Sequence, residues 1–288
     1  MSQPDLGQAI KERATAMPYP DGTPGRFLET AAVTDLAQTY GLPPKQVERA
    51  ALAADICPLR YARNLRAFSL AEQARLLDAS VALIGLGGLG GGLLEILVRG
   101  GVGTVRGADG DLFEESNLNR QLLADMAGLG VPKARRAAAR AAAINPSVDF
   151  QAHEGFLDAD GMMAFLDGMD VAVDALGGLK DRPALAEAAR KRHIPLVTAA
   201  VAGYTVIVAT VLPGQPSPVE MLAGNAAGPS AEEVLGCPSP AVMTASALQG
   251  TEVLRLLAGR QPALAGKGLI IDLETMRFDT VDFTGASR

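Results

Sequence analysis

Apolar residues change their spacing along the chain, and the changes mark the elements. Phe27–Tyr40 and Pro44–Ala54 place them at helical intervals, the second run opened by Pro43-Pro44. From Ser80 the pattern becomes β-α-β. A short buried strand at Val81–Ile84 meets a glycine loop at 85–92, and Leu93–Arg99 continues as a helix. Thr104–Ala108 is a second strand ending at Asp109, and Lys133–Ile144 is an Ala- and Arg-rich helix stopped by Asn145-Pro146. Further strands are predicted at 149–153, 171–173, 195–199 and 205–211, with helices at 159–166, 182–192 and 242–258. Residues 213–240 form a Pro-, Gly- and Ser-rich crossing segment, and 268–273 with 278–283 closes as a hairpin. Strands alternating with helices predict a doubly wound α/β fold. Its sheet is mostly parallel and Rossmann-like, with an antiparallel C-terminal edge. Residues 1–59 read as a helical N-terminal extension and 60–288 as the main domain.

Two stretches imitate membrane spans. Val81–Val98 is apolar apart from Glu95 but holds six glycines, and Ile194–Leu212 has no charge. Val, Ile and Thr crowd the second stretch and Gly203-Tyr204 interrupts it, so it reads as two buried strands joined by a bend. The N-terminus lacks the apolar core of a secretory signal. A soluble, cytoplasmic protein is expected. The string from Asp35 to Arg49 has a helix-turn-helix look, but no basic cluster accompanies it. It reads better as a helical cap or a dimerisation arm.

Composition narrows the chemistry. The net charge of −6 disfavours non-specific binding to nucleic acid or an anionic membrane. Two cysteines, Cys57 and Cys237, cannot build a four-thiolate zinc site, so no structural zinc is expected. Two histidines leave little material for a histidine-based zinc site or a Ser-His-Asp triad.

The richest stretch is Gly85-Leu-Gly87-Gly88-Leu-Gly90, directly after a strand. Glycines permit a tight turn and let backbone N–H groups approach phosphates at a helix N-terminus. Asp109 ends the next strand about 20 residues on, where an acceptor for ribose hydroxyls belongs. This frame fits NAD, FAD or ATP. The run that follows separates them: Asp109-Gly-Asp111, then Asn117-Leu-Asn119-Arg120-Gln121, then Gly130-Val-Pro132-Lys133. Cations this close to the loop suit a triphosphate, whose charge shifts onto pyrophosphate as it leaves. Arg120 and Lys133 are the natural clamps, and Asn117 is a neutral donor.

With Arg60-Tyr-Ala-Arg63-Asn, Gly101-Val-Gly103 and Ile144-Asn145-Pro146, these motifs make residues from about Arg60 to Leu273 resemble the ThiF/MoeB/HesA adenylyltransferases, bacterial relatives of ubiquitin-activating enzymes. The resemblance implies ATP, magnesium (Mg2+) and a ThiS/MoaD-type ubiquitin-like sulfur-carrier protein ending in Gly-Gly. The carrier's terminal carboxylate would be adenylated for the biosynthesis of a sulfur-containing cofactor. It also implies that Gly85, Gly87, Gly88, Gly90, Asp109, Asp111, Asn117, Arg120 and Lys133 hold the nucleotide. Arg63 matches an arginine that enters the partner's site in a homodimer. Cys237, before the late helix, occupies the place of the family's reactive cysteine, and a helix N-terminus lowers a thiol pKa. Cys57 reads as packing.

The chain departs from the pattern in three places. Gly177 stands where the family's magnesium-binding Asp belongs, and Asp174, at a strand end, is the expected substitute ahead of Asp181. Pro218 and Met221 occupy the positions of a zinc-binding cysteine pair. Residues 1–59 have no counterpart in the shortest family members. The alternative readings are a non-catalytic nucleotide- or carrier-binding scaffold and an NAD(P)-dependent oxidoreductase.

Overall fold

The computed structural model describes residues 5–19, 22–218 and 230–283. Met221 lies outside them. The main sheet has eight strands: β4 (Ser80–Ile84), β5 (Thr104–Asp109), β6 (Asp149–Glu154), β7 (Val171–Asp174), β8 (Leu196–Ala202), β9 (Thr205–Val211), β10 (Lys267–Asp272) and β11 (Arg277–Asp282). Their spatial order is β11-β10-β9-β8-β7-β4-β5-β6. Pairing is parallel from β8 through β7, β4 and β5 to β6, and antiparallel from β8 to β11. The doubly wound fold with an antiparallel C-terminal edge is therefore present. Val81, Ala82, Leu83 and Ile84 of β4 are buried, as a central strand covered on both faces requires.

The helices end where local chemistry stops them. α4 (Leu70–Asp78) opens with a reciprocal capping box between Ser69 and Glu72. α5 (Gly88–Gly100) closes on Gly101 in the left-handed region, φ 80°. α6 (Lys133–Ile144), α7 (Ala159–Phe165) and α8 (Arg182–Arg192) follow β5, β6 and β7 in turn. A short α9 (Ala231–Leu235) precedes the long α10 (Ser239–Leu257), which packs against α5.

Two boundaries differ from the sequence expectation. The helix after β4 begins at Gly88, so most of the glycine loop is helical. Glycine is a poor helix former, but here tertiary packing overrides propensity. A Cβ on Gly92 would come within 2.7 Å of Ser246 Cβ, and one on Gly88 within 3.1 Å of Val242. The bare face of α5 is what lets α10 lie so close. In the N-terminal extension, the first predicted helix is split: β2 (Pro24–Leu28) is extended and α2 runs Thr30–Tyr40. With α1 (Leu6–Arg13), β1 (Thr15–Pro18), α3 (Pro44–Ala53) and β3 (Cys57–Pro58) it forms a small helical layer with a three-stranded sheet.

α3 faces inward. Lys45 Nζ lies 3.3 Å from Gly103 O and from Thr104 Oγ1, and Arg49 pairs with Asp78 at 2.7 Å. Glu48 is fully buried, accepts from Tyr61 Oη at 3.0 Å and pairs with Arg60 at 3.2 Å. Asn145 joins this cluster, donating to Tyr61 Oη at 2.9 Å and to Val98 O at 3.1 Å. Val47, Glu48, Ala51 and Leu52 of α3 are thereby spent on the fold. Burial lifts the Glu48 carboxyl above its usual range, and Arg60 works against that rise.

Among the described residues, no helix is long and apolar enough to cross a membrane. The first apolar stretch is β4 with α5, and the second is the β8–β9 hairpin turned at Gly203-Tyr204.

If Gly92 is bare so that α5 and α10 can approach, Gly92→Ala lowers the unfolding free energy by about 1–3 kcal/mol despite alanine's helix preference. Ser246→Gly in the same chain recovers part of it. Urea denaturation measures both, and a single mutant as stable as wild type would refute the packing account.

Candidate active site

The chain runs outward from β4 through β5 to β6, then returns to β7 on the other side of β4. Adjacent parallel strands whose connections leave in opposite directions open a crevice at their C-terminal ends. The glycine loop sits there. Gly85 has φ 97°, and a Cβ on it would lie 2.3 Å from Ala175 O, just beyond β7. A Cβ on Gly90 would lie 1.9 Å from Gly85 O. Only glycine is tolerated at either position, and the first turn of α5 consequently presents bare backbone to the crevice. Asp109 is held by the same turn: Leu86 N donates to Oδ2 at 2.7 Å and Asp111 N to Oδ1 at 2.9 Å.

A cavity of about 400 Å³ occupies the crevice. It is lined by Gly85, Gly87, Gly88, Asp109, Asp111, Asn117, Arg120, Lys133 and Cys237, so residues far apart in sequence share one wall. Lys133 is buried and its Nζ lies 3.0 Å from Asp111 Oδ2. Arg120 donates to Ser116 O at 2.9 Å and to Asn119 Oδ1 at 3.0 Å, which fixes its guanidinium at the cavity edge. Asn117 is buried and accepts from Glu114 N.

The cavity also draws on Gln121, which closes the Asn117–Gln121 motif but had no role assigned, and on Phe156, Arg182 and Glu232, which the motifs did not identify. Gln121 Oε1 is buried without a hydrogen-bond partner, beside Gly87. An unpaired buried acceptor on a cavity wall is free to take a donor from whatever fills the cavity. Glu232 comes from α9, accepts from Gly178 N at 3.1 Å and faces Cys237. Its position in the crossing segment gave no spacing to read.

A family model described as the ThiF family matches residues 61–287. The chain belongs to the ThiF family. It is 32% identical over 231 residues to the SAMP-activating enzyme E1 of Haloferax volcanii, covering 78% of this chain and 84% of that protein. It is 34% identical over 192 residues to the sulfur carrier protein ThiS adenylyltransferase of Bacillus subtilis, covering 66% of this chain and 57% of that one. Among solved structures, MccB of E. coli with ATP superposes with a TM-score of 0.69 at 18% identity, covering 88% of this chain and 82% of that one. At that identity the likeness speaks for the fold.

Several expectations change in this ThiF-family site. Asp174 is only 1% exposed and does not line the cavity. Its carboxylate pairs with Arg182 at 3.0 Å and accepts from Thr198 Oγ1 at 2.6 Å and Leu176 N at 3.1 Å. A carboxylate so engaged is a structural anchor and not a free oxygen ligand, so the magnesium expectation for Asp174 is corrected. Asp181 does line the cavity, is exposed, and makes no capping bond at the start of α8. Gly177 also lines it, with nothing within 4 Å of where a Cβ would stand. Arg63 is exposed and lies outside its own chain's cavity. Among the described residues no three His, Cys, Asp or Glu side chains gather as a metal-binding group.

Cys237 lines the cavity, but the expected activation by the helix end is outweighed. Burial and then the negative charge of Glu232 push its thiol up to about 11, against the weaker pull of Arg120. The Sγ donates to Val201 O at 3.6 Å. Cys57, fully buried, is pushed up to about 12.

Two measurements check these assignments. Alkylation by iodoacetamide is slow at pH 8 and accelerates toward pH 11, labelling Cys237 before Cys57. Glu232→Gln moves the Cys237 profile to lower pH by removing a repelling charge. Asp174→Ala leaves Arg182 buried without its partner and lowers the unfolding free energy by about 3–5 kcal/mol. A denaturation midpoint unchanged from wild type would show that Asp174 is no anchor.

Proposed function

We propose that this protein adenylates the C-terminal carboxylate of a ubiquitin-like sulfur carrier, in the biosynthesis of a sulfur-containing cofactor. The observation that carries the reading is Lys133, a buried cation held by Asp111 on the wall of the cavity that the glycine loop and Asp109 open. Hydride transfer to a nicotinamide puts no new charge at that place, whereas displacement of pyrophosphate does.

The residues divide the work by position. Asp109, aimed by Leu86 N and Asp111 N, accepts from the ribose hydroxyls. The bare backbone at the start of α5 receives the phosphates. The carrier's terminal carboxylate attacks the α-phosphorus, the bond to the β-phosphate oxygen breaks, and pyrophosphate leaves with the electron pair. Lys133 and Arg120 stabilise that growing negative charge. Magnesium ions commonly need only one or two protein carboxylates beside phosphate oxygens, and Asp181 is the carboxylate whose exposure on the cavity wall fits. Magnesium would supply further charge neutralisation there. Burial and Glu232 hold the Cys237 thiol up, to about 11, which disfavours it as a nucleophile in this step. Arg63, outside its own cavity, serves the partner's site in a symmetric homodimer.

Gly177 favours a second reading, a scaffold that binds nucleotide or carrier without turnover. ATP–pyrophosphate exchange decides between them, measured with a small carrier ending in Gly-Gly. Wild type exchanges, Lys133→Ala loses about 10²–10³-fold, and Gly177→Asp, which has room for its side chain, retains or gains exchange. Mixing Arg63→Ala chains with Lys133→Ala chains restores part of the activity. ATP bound without exchange would establish the scaffold, and no gain on mixing would remove Arg63 from the reaction.

A further inference from the structure

Phe156 follows β6 and is 79% exposed, although it is one of the largest apolar side chains of the protein. A single exposed aromatic is ordinary on a protein surface. This one lines the cavity with Asp109, and Gly155, the residue before Phe156, donates its N–H to Asp109 O at 3.1 Å. Its ring lies over Gly110, the residue after Asp109. A Cβ there would stand 2.6 Å from Cδ2, 2.7 Å from Cε2 and 2.8 Å from Cγ of the ring. Three ring carbons at nearly equal distance mean that the ring meets Gly110 with its face. Gly110 is thus small because the ring occupies the space of its side chain, and the opposite face is left to solvent. Leu157, Met162 and Leu176 are among the apolar side chains that line the same cavity.

We infer that Phe156 is the platform on which the nucleotide base stacks. The inference rests on the ATP reading above and adds to it the residue that grips the base. If Asp109 takes the ribose hydroxyls and the phosphates run to α5, the base must leave the ribose away from the glycine loop. That direction leads to the segment after β6, because β6 is the neighbour of β5 on the side away from β4. A flat aromatic face with one side supported and the other open suits a purine, and stacking buries apolar surface that the free protein exposes.

The sequence contains no Trp, so Phe156→Trp introduces the sole indole and reports on its own position. Excited at 295 nm, its emission changes on adding ATP or adenosine and not on adding tripolyphosphate. By calorimetry, Phe156→Ala weakens ATP and adenosine binding by about 5- to 100-fold, the range for one lost base–aromatic stack, and leaves tripolyphosphate binding unchanged. Phe156→Tyr restores affinity. ATP bound by Phe156→Ala within twofold of wild type, or an indole emission unmoved while calorimetry registers ATP, would overturn the assignment and leave the ATP reading standing. A wild-type protein that binds no ATP would overturn both.

Discussion

The glycine turn at this site rests on two close approaches of backbone to backbone. Gly85 brings the end of β4 against Ala175 O at the end of β7, and Gly90 folds the first turn of α5 back onto Gly85 O. No side chain fits at either point. The contact sets the angle at which α5 leaves the sheet, and so where its unpaired N–H groups point. It also sets the reach of Leu86 N, which orients Asp109. The crevice is a consequence of strand order, but its usefulness to a phosphate depends on those two glycines.

A second layer of constraint lies beneath the cavity. Arg182 reaches back from α8 to Asp174 and also donates to the carbonyls of Leu176, Gly178 and Ala199, each at 2.7 Å. One guanidinium thereby fixes the loop that carries Gly177 and ties it to β8. Buried ion pairs contribute little net stability over apolar substitutes, but they define a single arrangement when every proton and lone pair is satisfied. Here the arrangement presents the Gly177 and Asp181 stretch to the cavity. The cluster of Glu48, Arg60, Tyr61 and Asn145 ties the N-terminal extension down by joining α3 to the end of α6.

The legible parts of the sequence were those with local causes. A strand, a glycine turn, a helix and a strand-ending acid follow one another within a few tens of residues, so Asp109 and the loop could be placed without knowing the rest. Lys133 was readable because it opens a helix after a Gly-Val-Pro turn. What escaped was decided by distant contacts. α5 starts at Gly88 because α10 packs against its bare face, and no local preference for helix announces that. β1 and β2 are short, contain proline and are largely exposed, so they carry no alternation. Asp174 sits at a strand end as a metal ligand would, and its use by Arg182 shows only once α8 is folded over it. Phe156 and Glu232 come from a loop and a crossing segment, where spacing carries no information.

Under the proposed function the cavity takes a triphosphate, and Lys133 and Arg120 on its wall meet charge that a dinucleotide does not develop. Isothermal titration of the wild-type protein with ATP and with NAD, under one buffer with magnesium, addresses this directly. The account predicts that ATP binds more tightly than NAD, and that Lys133→Ala narrows the gap by weakening ATP alone. Tighter binding of NAD, or equal weakening of both nucleotides by Lys133→Ala, would contradict it.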